Sequence, residues 1–263
     1  MNPNRISNRG QPSVKRPIQS SYITDWIEAS GIAAWGILVL KLWFTGKLSL
    51  LVHPRYVVVC LVAAIVLLLL AAFKAWRILY NPPTIKTQHL STLPPEWTSR
   101  VLLVAALLGM LIQPQTLGSQ AAMQQGLPDS LITSTRMKPQ AFRASVRSQD
   151  KSLVDWARTL AVYPEPDSYL GQKVKLQGFA FHSPNLSDQY FVISRFVIAH
   201  CALDAYPVGI PVKLTQSRQA YPVDTWWEVE GQMIVETVAN ERQLVIQANS
   251  LKSIPEPKDP YEY

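Results

Sequence analysis

The sequence predicts a membrane α-helical anchor joined to an all-β domain: about three N-terminal transmembrane helices, then an OB-like five-stranded β-barrel. Three observations carry that prediction. Tyr56–Phe73 is a run of 18 residues without a charge. Residues 1–112 hold 11 Lys and Arg against 3 acids, whereas residues 113–263 hold 14 against 15. Beyond residue 170 the apolar pattern changes to the period of 2 that marks half-buried strands.

A bilayer core of roughly 30 Å needs about 20 helical residues at 1.5 Å each. The uncharged run reaches that length within a span over residues 56–79. A first span over 26–44 has a shorter uncharged core, Ala29–Leu40, bounded by Glu28 and Lys41. Lys41 can snorkel to the interface, where Trp43 and Phe44 also suit the depth. Glu28 and Lys41 lie about 20 Å apart along a helix and cannot pair with each other, so snorkelling at the span ends is the expected account. A third span, 97–117, is built around the twelve apolar residues Val101–Ile112. Its internal position and the lack of an Ala-x-Ala site argue against a cleaved signal.

Loop charges orient these spans. Arg5, Arg9, Lys15 and Arg16 precede the first, and Lys74, Arg77, Lys86 and Arg100 flank the connection between the second and third. Both groups belong in the cytoplasm of a plasma (inner) membrane protein. The polar residues 1–22 read as a disordered cytoplasmic tail. The Gly46–Arg55 loop then lies outside, and with three spans so does everything after residue 118. With two spans the domain would be cytoplasmic. The third span therefore carries the localisation of the multi-pass chain.

Residues 119–150, rich in Gln, Ser and Ala, read as a linker. The extracytoplasmic domain, 151–263, opens with apolar residues at 153, 156, 157 and 160, a helical spacing. Lys173–Phe181 alternates as a strand, followed by strand runs at 190–199, 209–214, 224–235 and 243–247, with a further piece at 250–255. Gly178 and Gly231 let strongly coiled strands bend, and Gly231 also suits a bulge. Five short strands in this order resemble an OB-type barrel, with a small β-sandwich as the alternative. The domain's near-neutral charge and its compartment speak against nucleic acid as a partner, and the apolar spans make the lipid bilayer one.

The chemistry-bearing cluster is His200, Cys201 and Asp204, in an otherwise apolar stretch. In a helical turn His200 and Asp204 meet at i, i+4, and with Cys201 they offer ligands to a soft divalent metal such as zinc. Three ligands leave such a site incomplete. His182, Asp188, a water or a group on another protein are candidates for the missing ones. The competing account is a buried structural cysteine with Asp204 capping a turn. Arg195, among apolar residues, is either an exposed-face residue or an ion-pair partner of Asp204 or Asp224. No phosphate loop, HExxH, CxxC or GxSxG motif is present, and adjacent residues in a strand seldom form a nucleophile–base pair, so no enzyme is expected. A thiol-dependent periplasmic enzyme built on Cys201 is the weakest alternative.

Several segments together resemble the YcgQ-like bacterial family of permease subunits. They are Thr45-Gly-Lys-Leu48, His53-Pro-Arg-Tyr56, a third span ending near Pro114, the stretch from Ser194-Arg-Phe-Val-Ile through His200-Cys-Ala-Leu-Asp204 to Gly209, and Asp224-Thr-Trp-Trp-Glu-Val-Glu-Gly231. The resemblance covers most of residues 25–255. It implies a partner, a YcgR-like multi-span permease, itself similar to permeases that export organoarsenicals. It also implies a role as accessory subunit of an exporter, with a ligand- or metal-sensing outer domain. Family members often carry two adjacent cysteines where this chain has His200-Cys201, which retains a soft ligand pair but not a dithiol. A structural interaction protein without a ligand site is the alternative.

Overall fold

The computed structural model describes residues 18–80, 95–124, 147–238 and 241–263. Residues 1–17 of the expected tail, the connection containing Lys86 and most of the linker lie outside the described residues, and residues 18–22 are helical rather than disordered. The chain forms two compact units, one from residues 1–44 and 58–113, the other from 45–57 and 114–263.

Three helices make the first unit: α1 (Ile18–Phe44), α2 (Pro54–Tyr80) and α3 (Pro95–Leu111). Proline opens α2 and α3, where a first-turn N–H needs no partner. α1 and α2 are long and apolar enough to cross a membrane. Val58, Val62, Ile65, Leu69 and Phe73 of α2 are exposed, so among the described residues no protein core covers that face of the helix.

α1 runs antiparallel to α2 and parallel to α3. Glu28 ion-pairs with Lys74, and Gly36 lies against Leu68 and the Ala64 carbonyl. Along α3, Trp35 Nε1 donates to the Leu102 carbonyl at 3.1 Å, Leu38 fills the space at Gly109, and the Lys41 ammonium donates to the Met110 carbonyl. Small residues allow these close approaches. The Glu28–Lys74 pair corrects the expectation that Glu28 simply snorkels. Lys74 lies within α2, and the antiparallel crossing brings it level with Glu28. α3 stops at Leu111, six residues short of 117, because Pro114 lacks an N–H and disfavours helical backbone at Gln113.

The second unit contains α4 (Ser119–Gln124), α5 (Leu153–Val162) and six strands: β1 (Lys173–Phe181), β2 (Tyr190–Val197), β3 (Tyr206–Lys213), β4 (Trp226–Val238), β5 (Glu241–Ile254) and β6 (Tyr261–Glu262). A Ser152–Asp155 capping box starts α5: Asp155 N donates to Ser152 Oγ at 3.2 Å, and Ser152 N to Asp155 Oδ2 at 3.3 Å. Leu153, Trp156, Ala157 and Leu160 are buried, as their spacing predicts.

β1 pairs antiparallel with β4 along Lys173–Phe179 and with β2 at Phe179–Phe181. β2 and β3 are antiparallel, β3 and β5 parallel, and β4 and β5 a long antiparallel hairpin. The pairings thus run β1-β4-β5-β3-β2 and return to β1, while β6 lies parallel to β2. At Gly178 a Cβ would come 2.5 Å from the Ser194 carbonyl oxygen, so glycine permits the approach of β1 to β2. The two runs expected at 243–247 and 250–255 are one strand. The β4–β5 register shifts between Glu230 and Gly231, with Asn249 as the extra residue. β6 adds a sixth strand to the five expected, because two residues are too few to show a period.

Both faces of β2 are covered. Phe191 and Ile193 pack with Trp156, Ile210, Met233 and Ile246, whereas Val192 and Phe196 pack with Phe179, Trp226, Val245 and Tyr261.

Candidate functional site: a turn docked on the loop between two helices

β2 ends at Val197, and the chain turns through residues 199–205 before β3. Asp204 builds this turn. Its carboxylate accepts from Ala199 N at 3.2 Å, from His200 N at 2.9 Å and from Cys201 N at 3.2 Å. His200 Nδ1 lies 2.8 Å from Asp204 Oδ2. Partial burial pushes the Asp204 carboxyl up, but the backbone and ring hydrogen bonds from His200, with those from Cys201 and Ala199, outweigh it and hold the group below the ordinary carboxylate value.

The outer edge of the turn pairs with the loop that joins α1 to α2. Val52 and Cys201 form an antiparallel bridge, His53 N donates to the His200 carbonyl at 3.0 Å, and Ala202 N donates to the Leu51 carbonyl at 2.8 Å. Rings extend the contact. Tyr56 stacks on His200 with centroids 6.0 Å apart, and His53 meets Tyr263 edge-on at 4.7 Å. The whole junction belongs to the second compact unit.

Of the expected ligands, His200 and Asp204 meet, as their spacing implies. Cys201 instead takes extended backbone and joins the bridge to Val52. Among the described residues, no three His, Cys, Asp or Glu side chains are placed to hold a metal ion. In the structure the backbone N–H groups of residues 199–201 take up the Asp204 carboxylate. His182 is engaged elsewhere, with Nε2 2.8 Å from the Tyr221 carbonyl, and Asp188 faces Arg218.

Arg195 is an ion-pair partner, but of neither expected acid. Asp224, at φ +64°, accepts from Ser119 N at 2.6 Å and Ser119 Oγ at 2.9 Å. The Arg195 guanidinium donates instead to the carbonyls of Asp259 at 2.7 Å and Pro260 at 3.3 Å and to Glu262 Oε1 at 3.4 Å, while lying over the Trp226 ring. Glu262 Oε2 in turn accepts from Val154 N, at 2.8 Å, in the first turn of α5. Glu262 is the residue of this network that sequence reasoning missed. Its one signal was an acid between two tyrosines, Tyr261 and Tyr263.

Replacing Asp204 with Ala leaves three backbone N–H groups of a partly exposed turn without their acceptor. The expected loss is about 1–2 kcal/mol, read as a lower urea midpoint for the full chain in detergent micelles at pH 7. The pH dependence has a definite sign. A carboxyl held below its unfolded value stabilises above that value, about 3.9, and the contribution disappears as pH falls through the folded one. The gap between wild type and Asp204→Ala should therefore narrow as the pH is lowered below that range.

Fold and site together define a two-part protein, an apolar helical unit and a six-stranded β-sheet unit that incorporates the α1–α2 loop. The chain belongs to the DUF1980 family: residues 27–128 match the DUF1980 N-terminal domain and residues 133–263 the DUF1980 C-terminal domain. No match to the chain was found among curated proteins or among solved structures.

Proposed function

We propose that this protein is a membrane-anchored accessory subunit of a YcgR-like multi-span permease, with its β domain on the extracytoplasmic side of the plasma membrane and an assembly role rather than a ligand-sensing one. The observation that carries the reading is the pairing of residues 51–53 with 200–202. A loop and a domain that share backbone hydrogen bonds lie on the same face of a bilayer. α2 leaves that face from the loop, so α3 has to return to it before the domain begins.

The parallel course of α1 and α3 supports the same three-span path. At 17 residues α3 is about 25 Å long, a mismatch that local thinning of the bilayer accommodates. Lys74, Arg77 and Arg100 then mark the cytoplasmic face. The circuit of pairings through β1, β4, β5, β3 and β2, with its parallel β3–β5 contact, is the connectivity of an OB-type barrel, and we read the domain as one. The permease partner rests on the resemblance of residues 45–56 and 194–209. Assembly is favoured over sensing because the Asp204 carboxylate serves the backbone of its own turn and, among the described residues, no three His, Cys, Asp or Glu side chains are placed to hold a metal ion.

Affinity purification of the tagged full chain from its native membranes tests the partner, with a multi-span permease expected in constant proportion. Topology is tested in spheroplasts in a Cys60→Ser, Cys201→Ser background. A membrane-impermeant maleimide should label Lys173→Cys in intact cells and Ser7→Cys only after permeabilisation. Recovery of the chain without a permease, or the reverse labelling pattern, overturns the reading.

A further inference from the structure

Leu203 is 95% exposed on the short helical turn Ala202–Asp204. No other large apolar side chain in the β domain is so bare, among the described residues. Its backbone is not loose. Asp204, the next residue, ties together Ala199, His200 and Cys201, and the turn is hydrogen-bonded to Leu51 and His53. A fixed backbone presenting an uncovered leucine is an arrangement for contact with something outside the chain.

The surroundings indicate what that is. Residues 51–53 immediately precede Pro54, where α2 begins, and the apolar run of α2 starts at Val57. Tyr56, in the first turn of α2, is exposed and stacks on His200, whose side chain is 71% exposed. Arg55 is exposed beside it, and residues 45–57 contain Lys47 and Arg55 but no acid. A tyrosine hydroxyl, an imidazole and a guanidinium on the same junction as this leucine, a few residues before the apolar run of α2, match the chemistry of the bilayer interface. Phosphate groups and ordered water there meet the first acyl carbons.

We propose that the 199–204 turn is an interfacial foot: Leu203 enters the headgroup–acyl boundary of the outer leaflet while His200, Tyr56 and Arg55 contact lipid phosphates. The occupant of this surface is the phospholipid bilayer itself. The inference rests on the reading of α2 as a membrane span. Its consequence is that the domain meets the membrane through its own surface as well as through the chain that leads to it.

The test uses the full chain in nanodiscs of phosphatidylethanolamine and phosphatidylglycerol, with Cys60→Ser and Cys201→Ser. A fluorescent thiol label is placed at Leu203→Cys, at Lys173→Cys as a solvent control, and at Val62→Cys as a membrane control. Lipids spin-labelled near the headgroup should quench the label at 203 several-fold more than at 173. Lipids spin-labelled deep in the chain should quench it at 62. Quenching at 62 with none at 203 beyond the 173 control overturns the foot and leaves the membrane anchor standing. No quenching at 62 overturns both. A label at 203 that is unquenched in nanodiscs but shielded from aqueous quencher in native membranes assigns the surface to a protein partner and likewise overturns the proposal.

Discussion

Arg195→Ala should destabilise the β domain by about 3–5 kcal/mol, the range for removing one partner of a buried ion pair. The Arg195 side chain is 16% exposed and the Glu262 side chain 8%. Removing the guanidinium leaves Glu262 with Val154 N as its remaining donor and strips the Asp259 and Pro260 carbonyls of theirs. Lysine is not an adequate substitute, because one ammonium on a flexible stem cannot serve three acceptors arranged around a planar fork. The measurement is urea unfolding of the full chain in micelles, followed by far-UV circular dichroism. Adding Glu262→Gln to Arg195→Ala should recover part of the loss, since a neutral amide oxygen still accepts from Val154 N without a buried charge. Equal midpoints for Arg195→Ala and wild type would contradict the assignment of Arg195 as the fastening of β6.

Trp156 carries an effect of similar size for a different reason. Its side chain is 0% exposed, stands edge-on to Tyr169 at 5.7 Å between centroids, and lies under the Lys151 ammonium. Truncation to alanine removes most of the α5 contribution to the larger core and leaves a cavity, at a cost of about 3–5 kcal/mol. Phenylalanine gives an informative contrast. Trp156 Nε1 is buried and finds no acceptor among the described residues. An orphaned donor costs about 1–3 kcal/mol, so Trp156→Phe loses packing but also removes that penalty. The expected order of midpoints is wild type close to Trp156→Phe, with Trp156→Ala far below. A Phe variant as unstable as the Ala variant would show that ring volume, not the stranded N–H, dominates.

Much of the β domain was legible in the sequence because its signals are local. Lys173–Phe181 alternates polar and apolar residues, and β1 has those bounds. The spacing at 153, 156, 157 and 160 gives the buried face of α5. What could not be read depends on distant parts of the chain. β6 has two residues and no period, yet it binds β2 through the neighbours of Arg195. The parallel β3–β5 contact joins segments separated by the whole β4 strand.

The candidate site shows the same division. The i, i+4 meeting of His200 and Asp204 follows from their spacing. That the Asp204 carboxylate is filled by the N–H groups of residues 199–201 does not, because backbone donors carry no residue identity. The partner of the turn, Leu51-Val-His53, lies some 150 positions earlier, in a short loop of mixed composition whose sequence carries no strand period.

Strand β6 also has a consequence for the order of folding. Leu117 N bonds to the Tyr261 hydroxyl across 144 positions, Val154 N to Glu262 across 108, and Arg195 to the Asp259 carbonyl across 64. Closing loops of such lengths costs entropy before any contact repays it. β6 can seat only when β2, α5 and the segment after α3 already stand in place. Its contacts therefore belong to the native side of the folding barrier. Weakening them should leave the folding rate nearly unchanged and speed unfolding, so this seam sets how long the folded domain lasts rather than how quickly it forms.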